Sequence, residues 1–151
     1  TEACCERQIQ GQKAQRKQRL YAGLFQRRKN PGVYTVAVKG KGAFLNGKPI
    51  HVSEAKTLSE SLVTIGTSSY YHELADWNFK VFKEVFLSCQ DIRRLGSAAL
   101  DMAYVACGRV DAFFETILQP WDFSAAKLLI EEAGGKVSDF AGKELKNCSG
   151  Y

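Results

Sequence analysis

Pro120-Trp121-Asp122-Phe123-Ser124-Ala125-Ala126-Lys127-Leu128-Leu129-Ile130-Glu131-Glu132-Ala133-Gly134-Gly135 is the stretch from which the rest of the chain is read. Pro120 suits a helix entrance, where its missing N–H has no intrahelical partner to lose. Phe123, Ala126, Ile130 and Ala133 recur at helical spacing and mark a face for burial. Gly134 supplies the permissive backbone of a helix stop. Asp122 falls in the first turn, beside Trp121, and has two readings. Locally it caps the helix or complements its dipole, an effect of about 0.5–1 kcal/mol. Chemically it is a carboxylate aimed from a helix entrance at a cation. Acidic residues are common in first turns, so local physics favours the cap.

Upstream of this helix, Asp111–Thr116 alternates, with Asp111, Phe113 and Glu115 on one face of a strand. Ser97 is placed to cap a helix running through Leu100, Tyr104 and Cys107 to a stop at Gly108. Asp91–Leu95 reads as a strand. Tyr71–Leu87 reads as a helix with Leu74, Trp77, Val81 and Val85 on its apolar face. Trp77 and Phe79 serve there as core and surface partners. Leu62–Ile65 is a short apolar strand followed by a Gly66-Thr67-Ser68-Ser69 loop. Farther back, Val33–Val38, Ala43–Leu45 and Lys48–Val52 form two hairpins or a meander, turned by Lys39-Gly40-Lys41-Gly42 and by Asn46-Gly47. Downstream, Lys136–Phe140 reads as a last strand. From Leu62 on the order is β-α-β-α-β-α-β, which predicts an α/β fold of layered sheet and helices.

The 151 residues are one domain's worth, and 45% hydrophobic with 25% charged residues is the balance of a soluble globular protein. No apolar run approaches the ~18 residues of a membrane span, and no charged-then-apolar leader opens the sequence, so the expected location is the cytoplasm. Five cysteines (Cys4, Cys5, Cys89, Cys107 and Cys148) make an odd number without a C-x-x-C spacing, which argues against a disulfide framework or structural zinc site. Cys107 reads as a small core residue. The net charge of +5 is unevenly spread. Residues 1–30 hold eight Lys/Arg against two Glu, net +6, and the remainder holds thirteen against fourteen acids, net −1. With glutamines at 8, 10, 12, 15 and 18 and no sustained apolar period, residues 1–30 read as a basic, disordered or unrelated arm, and 31–151 as the α/β domain. No aromatic interleaving supports nucleic-acid binding by the arm.

Three features fall at strand-to-helix junctions, where α/β folds bind ligands. They are the Gly66–Ser69 loop, the Gly96-Ser97-Ala98 helix entrance with its free amides, and Glu115, seven residues before Asp122. Glu115 and Asp122 on one rim would suit a hard cation such as Mg²⁺ together with a polyol. Taken singly, glycine-serine junctions are usually turns and caps. His51 and His72 have no neighbours at ligand spacing and read as surface residues. No G-x-S-x-G, P-loop or G-x-G-x-x-G motif is present.

Pro120-Trp121-Asp122, with Ala125-Ala126 and Glu131-Glu132-Ala133-Gly134-Gly135, resembles the C-terminal signature of the inositol monophosphatase family. Lys41-Gly42-Ala43-Phe44-Leu45-Asn46-Gly47, Arg94-Leu95-Gly96-Ser97-Ala98-Ala99 and Val110-Asp111-Ala112-Phe113-Phe114-Glu115 resemble further family segments, in the same order and spacing. The resemblance runs from about Val33 to about Leu145. It implies the C-terminal portion of an αβαβα sandwich and a Mg²⁺-dependent phosphomonoesterase, usually homodimeric, that splits inositol monophosphate into inositol and phosphate. It implies that Asp122 is a metal ligand and that Glu115, Gly96, Ser97, Ala98 and Ser68 bind substrate. It assigns this chain no catalytic nucleophile or base. The family's first signature, an Asp-Pro-(Ile/Leu)-Asp-Gly-Thr run that carries most metal ligands, is absent from the sequence, and the segment through Asn30 reads as joined at about Pro31. The expectation is therefore a chain without phosphatase activity of its own. The alternatives are a non-catalytic remnant that binds a polyol or a partner, and a related sugar- or nucleotide-phosphate phosphatase.

Overall fold

The computed structural model describes residues 21–26 and 33–145, with side chains from Val33 onward. The chain opens on an antiparallel meander of four strands, β1 (Tyr21–Gln26), β2 (Val33–Val38), β3 (Gly42–Leu45) and β4 (Lys48–Ile50), in that spatial order. Asn46 and Gly47 both take positive φ, 49° and 79°, the conformation a two-residue hairpin turn demands. A second sheet is parallel, ordered β6 (Asp91–Arg93), β5 (Leu62–Ile65), β7 (Ala112–Phe114). Its crossovers are α1 (Ala75–Ser88), between β5 and β6, and α2 (Ala98–Ala106), between β6 and β7. The helix α3 (Pro120–Glu132) follows β7, with Pro120 in its first turn.

Strand alternation sorts these elements into layers. Val63 and Ile65 point to one side of the parallel sheet and pack with Phe82 of α1. Leu62 and Phe113 point to the other and join the larger core. That core holds Met102, Val105 and Ala106 of α2, Phe123, Ala126, Leu129 and Ile130 of α3, and Ala37 and Ala43 of the meander. The order α1, parallel sheet, α2 with α3, meander is an αβαβ stack, the layered α/β class that the sequence implies.

One carboxylate closes the meander onto α3. The Glu132 carboxylate accepts the amides of Gly40 (2.7 Å) and Gly42 (2.8 Å), and these two donors, Gly40 first, hold its pKa below the ordinary value. The glycines take φ of 73° and 88°, which turns their N–H groups toward the helix end.

Four expectations change. Tyr21–Gln26, inside the expected arm, pairs residue for residue with β2, whose edge offers unpaired backbone groups to the one part of the arm where apolar residues gather. The rest of the arm, with residues 31–32 and 146–151, lies outside the described residues. Lys136–Phe140 is not a strand. It makes one bridge, Ser138 to Glu144, because Asp139 turns the chain at once, its Oδ1 accepting the amides of Ala141 (2.9 Å) and Lys143 (2.8 Å). The buried stripe of α1 is Asn78 and Phe82, one position round from the expected face, and Trp77 is 45% exposed with its edge on Phe140. Ser97 stands at the N-cap of α2, yet its side chain makes no capping bond.

Candidate functional site

The C-terminal ends of the three parallel strands lead into the Gly66–Ser68 loop, Arg94–Ser97 and Glu115–Gln119. Ligands collect at this end of such a sheet because the loops diverge there and helix amides point outward. Glu115 and Ser68 meet: the Ser68 amide donates to Glu115 Oε1 at 2.8 Å, with the Ser68 hydroxyl 3.4 Å from the same oxygen. The Ile117 amide donates to Ser68 Oγ at 3.1 Å, so one buried serine holds both ends of the segment that carries Glu115. A Cβ on Gly66 would lie 2.1 Å from the Glu115 carboxyl. Glycine is what lets the carboxylate lie across that loop.

Residues the sequence did not single out complete the rim. Asn78, buried in α1, donates to the Thr67 carbonyl at 3.2 Å and also bonds Thr116, tying the two loops together. A polar residue within an apolar helix period was the available signal. The Arg94 guanidinium lies over Gly96, 3.1 Å from where a Cβ would stand, and 3.5 Å from Thr67 Oγ1. Beneath these, Asp101 of α2 is 1% exposed and its Oδ1 has no partner among the described residues. Burial pushes its pKa up; the Thr64 hydroxyl, Ser97 backbone and Arg94 charge pull the other way, and Glu115 adds to the rise.

Asp122 stands apart from this cluster. Its Oδ2 accepts the Gln119 amide at 2.9 Å, which is the capping role local physics favoured. Ser97 lines a cavity of about 280 Å³ between β2, β3 and α2, whereas Glu115 lines another of about 450 Å³ with Phe113, Thr116 and Phe123. The structure thus joins Glu115 with Ser68, brings the Gly96 loop near them through Arg94, and leaves Asp122 on its own helix. Among the described residues no group of three or more His, Cys, Asp or Glu side chains could hold a metal ion, and no helix is long and apolar enough to cross a membrane. Mg²⁺ wants about six oxygen ligands. The described residues alone do not fit it.

The model of the inositol monophosphatase family matches residues 30–150. The Nus factor SuhB of Salmonella typhimurium is 48% identical over 106 residues, which are 70% of this chain and 40% of that one. The inositol monophosphatase structure from Anabaena is 41% identical and superimposes with a TM-score of 0.71, over 76% of this chain and 49% of that one. A staphylococcal IMPase-II solved with inositol monophosphate bound is 28% identical, with a TM-score of 0.67, over 77% of this chain and 44% of that one. The chain spans about two-fifths of the length of the curated relatives it matches.

Proposed function

The chain belongs to the inositol monophosphatase family, and on that premise we propose that it forms the polyol-recognising part of an inositol-phosphate phosphatase site. Glu115 accepts a hydroxyl of the inositol ring. Its Oε1 is fixed by Ser68, so the carboxylate meets the ligand already oriented, without the entropy loss of ordering a free side chain. The Gly96-Ser97-Ala98 entrance of α2 offers backbone N–H donors to further oxygens of the same ligand. The Ser68–Glu115 clasp at the carboxyl end of the parallel sheet is the observation that carries this reading.

Asp122 is the chain's contribution to a Mg²⁺ site whose other ligands lie outside the described residues. An ion held there would supply activation of water and charge stabilisation in phosphate-ester hydrolysis. This chain's own residues bind and orient the polyol, and hydrolysis by the chain alone is not expected. The staphylococcal relative solved with inositol monophosphate supports that ligand; the same relative solved with 2′AMP supports a nucleotide phosphate as the second reading. Calorimetric titration with myo-inositol 1-phosphate and with 2′-AMP separates them. Saturable heat with the first, abolished in Glu115→Gln, is the expected result. Equal or tighter binding of 2′-AMP, insensitive to Glu115→Gln, would replace inositol as the ligand.

A further inference from the structure

Where β5 and β7 part, one peptide unit is held at both ends. The ladder between them closes with the Gly66 amide on the Phe114 carbonyl at 2.9 Å. The Thr67–Ser68 peptide comes next. Its N–H donates to Glu115 Oε1 at 2.8 Å, and its carbonyl accepts from Asn78 Nδ2 at 3.2 Å. Asn78 Oδ1 in turn accepts the hydroxyl of Thr116, the residue after Glu115. Ser68 stands at φ 47°, and among the described residues Asn46, in its hairpin turn, is the other non-glycine with positive φ. Serine has little preference for that region, and such strain persists where the surroundings over-determine it. Turning the Thr67–Ser68 peptide over would return Ser68 to the ordinary negative range. It would also point the N–H away from Glu115 and set the Thr67 carbonyl against the carboxylate. The relaxed form of this loop is therefore one in which Glu115 has lost its anchor. The Tyr71 amide, 2.9 Å from the Ser68 carbonyl, holds the following peptide and does not fix this one.

We propose that Asn78 is a positioning residue: it sets the orientation of the Thr67–Ser68 peptide and through that peptide aims the Glu115 carboxylate at the ligand. An amide is the side chain that fits. Its NH₂ donates to the Thr67 carbonyl while its oxygen takes the Thr116 hydroxyl, so one planar group serves both partners. A carboxylate has no hydrogen to donate, and an aliphatic side chain leaves both partners unpaired beside a buried position. With the carbonyl held from α1, the strained peptide does not depend on Glu115 alone. Oε1 stays on the Ser68 amide, and Oε2 is left for a ligand hydroxyl. The functional consequence rests on the reading of Glu115 as the acceptor of that hydroxyl, whereas the orientation of the peptide is measured without ligand.

The test reads three quantities on the chain: the one-bond Cα–Hα coupling of Ser68, which separates positive from negative φ, the exchange rate of the Ser68 amide, and calorimetric binding of myo-inositol 1-phosphate. The wild type should show positive φ and slow exchange. Asn78→Leu keeps the branched shape without donor or acceptor. It should move Ser68 to negative φ, speed exchange of its amide and weaken binding at least about tenfold, while the chain still unfolds cooperatively. Asn78→Ala, which places the strongest helix former in α1, carries the same expectation if Asn78→Leu does not fold. Thr116→Val removes the other bond of Asn78 and should leave Ser68 at positive φ. A residue that merely packs would lower the melting temperature without changing the sign of φ. Positive φ and an equally protected Ser68 amide in a folded Asn78 variant, or negative φ in the wild type, overturns the proposal. So does binding that Asn78→Leu leaves intact although the peptide has turned. If the peptide turns in Asn78→Leu but the wild type binds no inositol phosphate, the proposed function fails and the control of the peptide by Asn78 stands.

Discussion

Replacing Glu132 tests how the meander is joined to the helical layer. The native carboxylate accepts two amides, from Gly40 at 2.7 Å and Gly42 at 2.8 Å, across 92 and 90 residues of sequence. Hydrogen bonds to a charged group are each worth about 1.5–3 kcal/mol, less where water competes. Glu132 is only half-buried, so the lower end applies. Glu132→Ala should cost about 2–3 kcal/mol in denaturant unfolding, with little change in slope. Glu132→Gln keeps one acceptor and sets an NH₂ against the second amide, so it should cost about half as much. The pH dependence has a defined sign. The folded pKa lies below the ordinary 4.5, so this contribution is complete above 4.5 and lost as pH falls through the lower folded value. The wild-type chain should lose stability in that window by more than Glu132→Ala does. Two variants within about 0.5 kcal/mol of wild type, or identical acid limbs, would refute the clamp.

Other consequences are open to direct measurement. Asp101→Asn should stabilise the chain at neutral pH. The folded pKa of Asp101 is raised, so the wild type is favoured below 3.8 and loses stability as pH rises through the folded value, a limb that the variant's unfolding profile should lack. Lys127, buried beside Glu131 (2.6 Å) and Glu144 (3.2 Å), has a pKa raised first by Glu131. Its contribution should be complete below 10.5 and lost as pH climbs through the higher folded value, and Lys127→Met should flatten that alkaline limb. Gly66→Ala must displace the Glu115 carboxyl, and calorimetry should show inositol-phosphate binding weakened at least about tenfold with little change in melting temperature. Asp122→Ala removes the bond to the Gln119 amide and should cost about 1 kcal/mol of unfolding free energy.

What the sequence made legible was short-range. Val33–Val38 and Leu62–Ile65 emerge with the expected bounds because alternation or a compact apolar run is bracketed by turn signals. Pro120 and Gly134 punctuate α3 where local backbone rules place them. What was hidden depends on partners distant in sequence. Asn78 is buried because its amide bridges Thr67 and Thr116; a polar residue in the apolar period marks the position but does not name those partners. The clamp of Glu132 on Gly40 and Gly42 looks in sequence like a solvated helix end. Lys136–Phe140 carries a strand-like pattern, but Asp139 commits the chain to a turn before a ladder can extend. The site divides in the same way. Glu115 and Ser68 were singled out for their place after strands, and parallel pairing brings them together. Asp122 was given a metal role by motif, while its visible bond is the cap that local physics preferred.

The most direct test combines two readings on one sample of the chain with Mg²⁺ and myo-inositol 1-phosphate: binding by amide chemical shifts, and release of inorganic phosphate. Saturable shifts confined to Gly66–Ser68, Gly96–Ala98 and Glu115 are expected, with no phosphate released above the protein-free control. Turnover by this chain alone, or shifts that bypass Glu115 and Ser68, would contradict it.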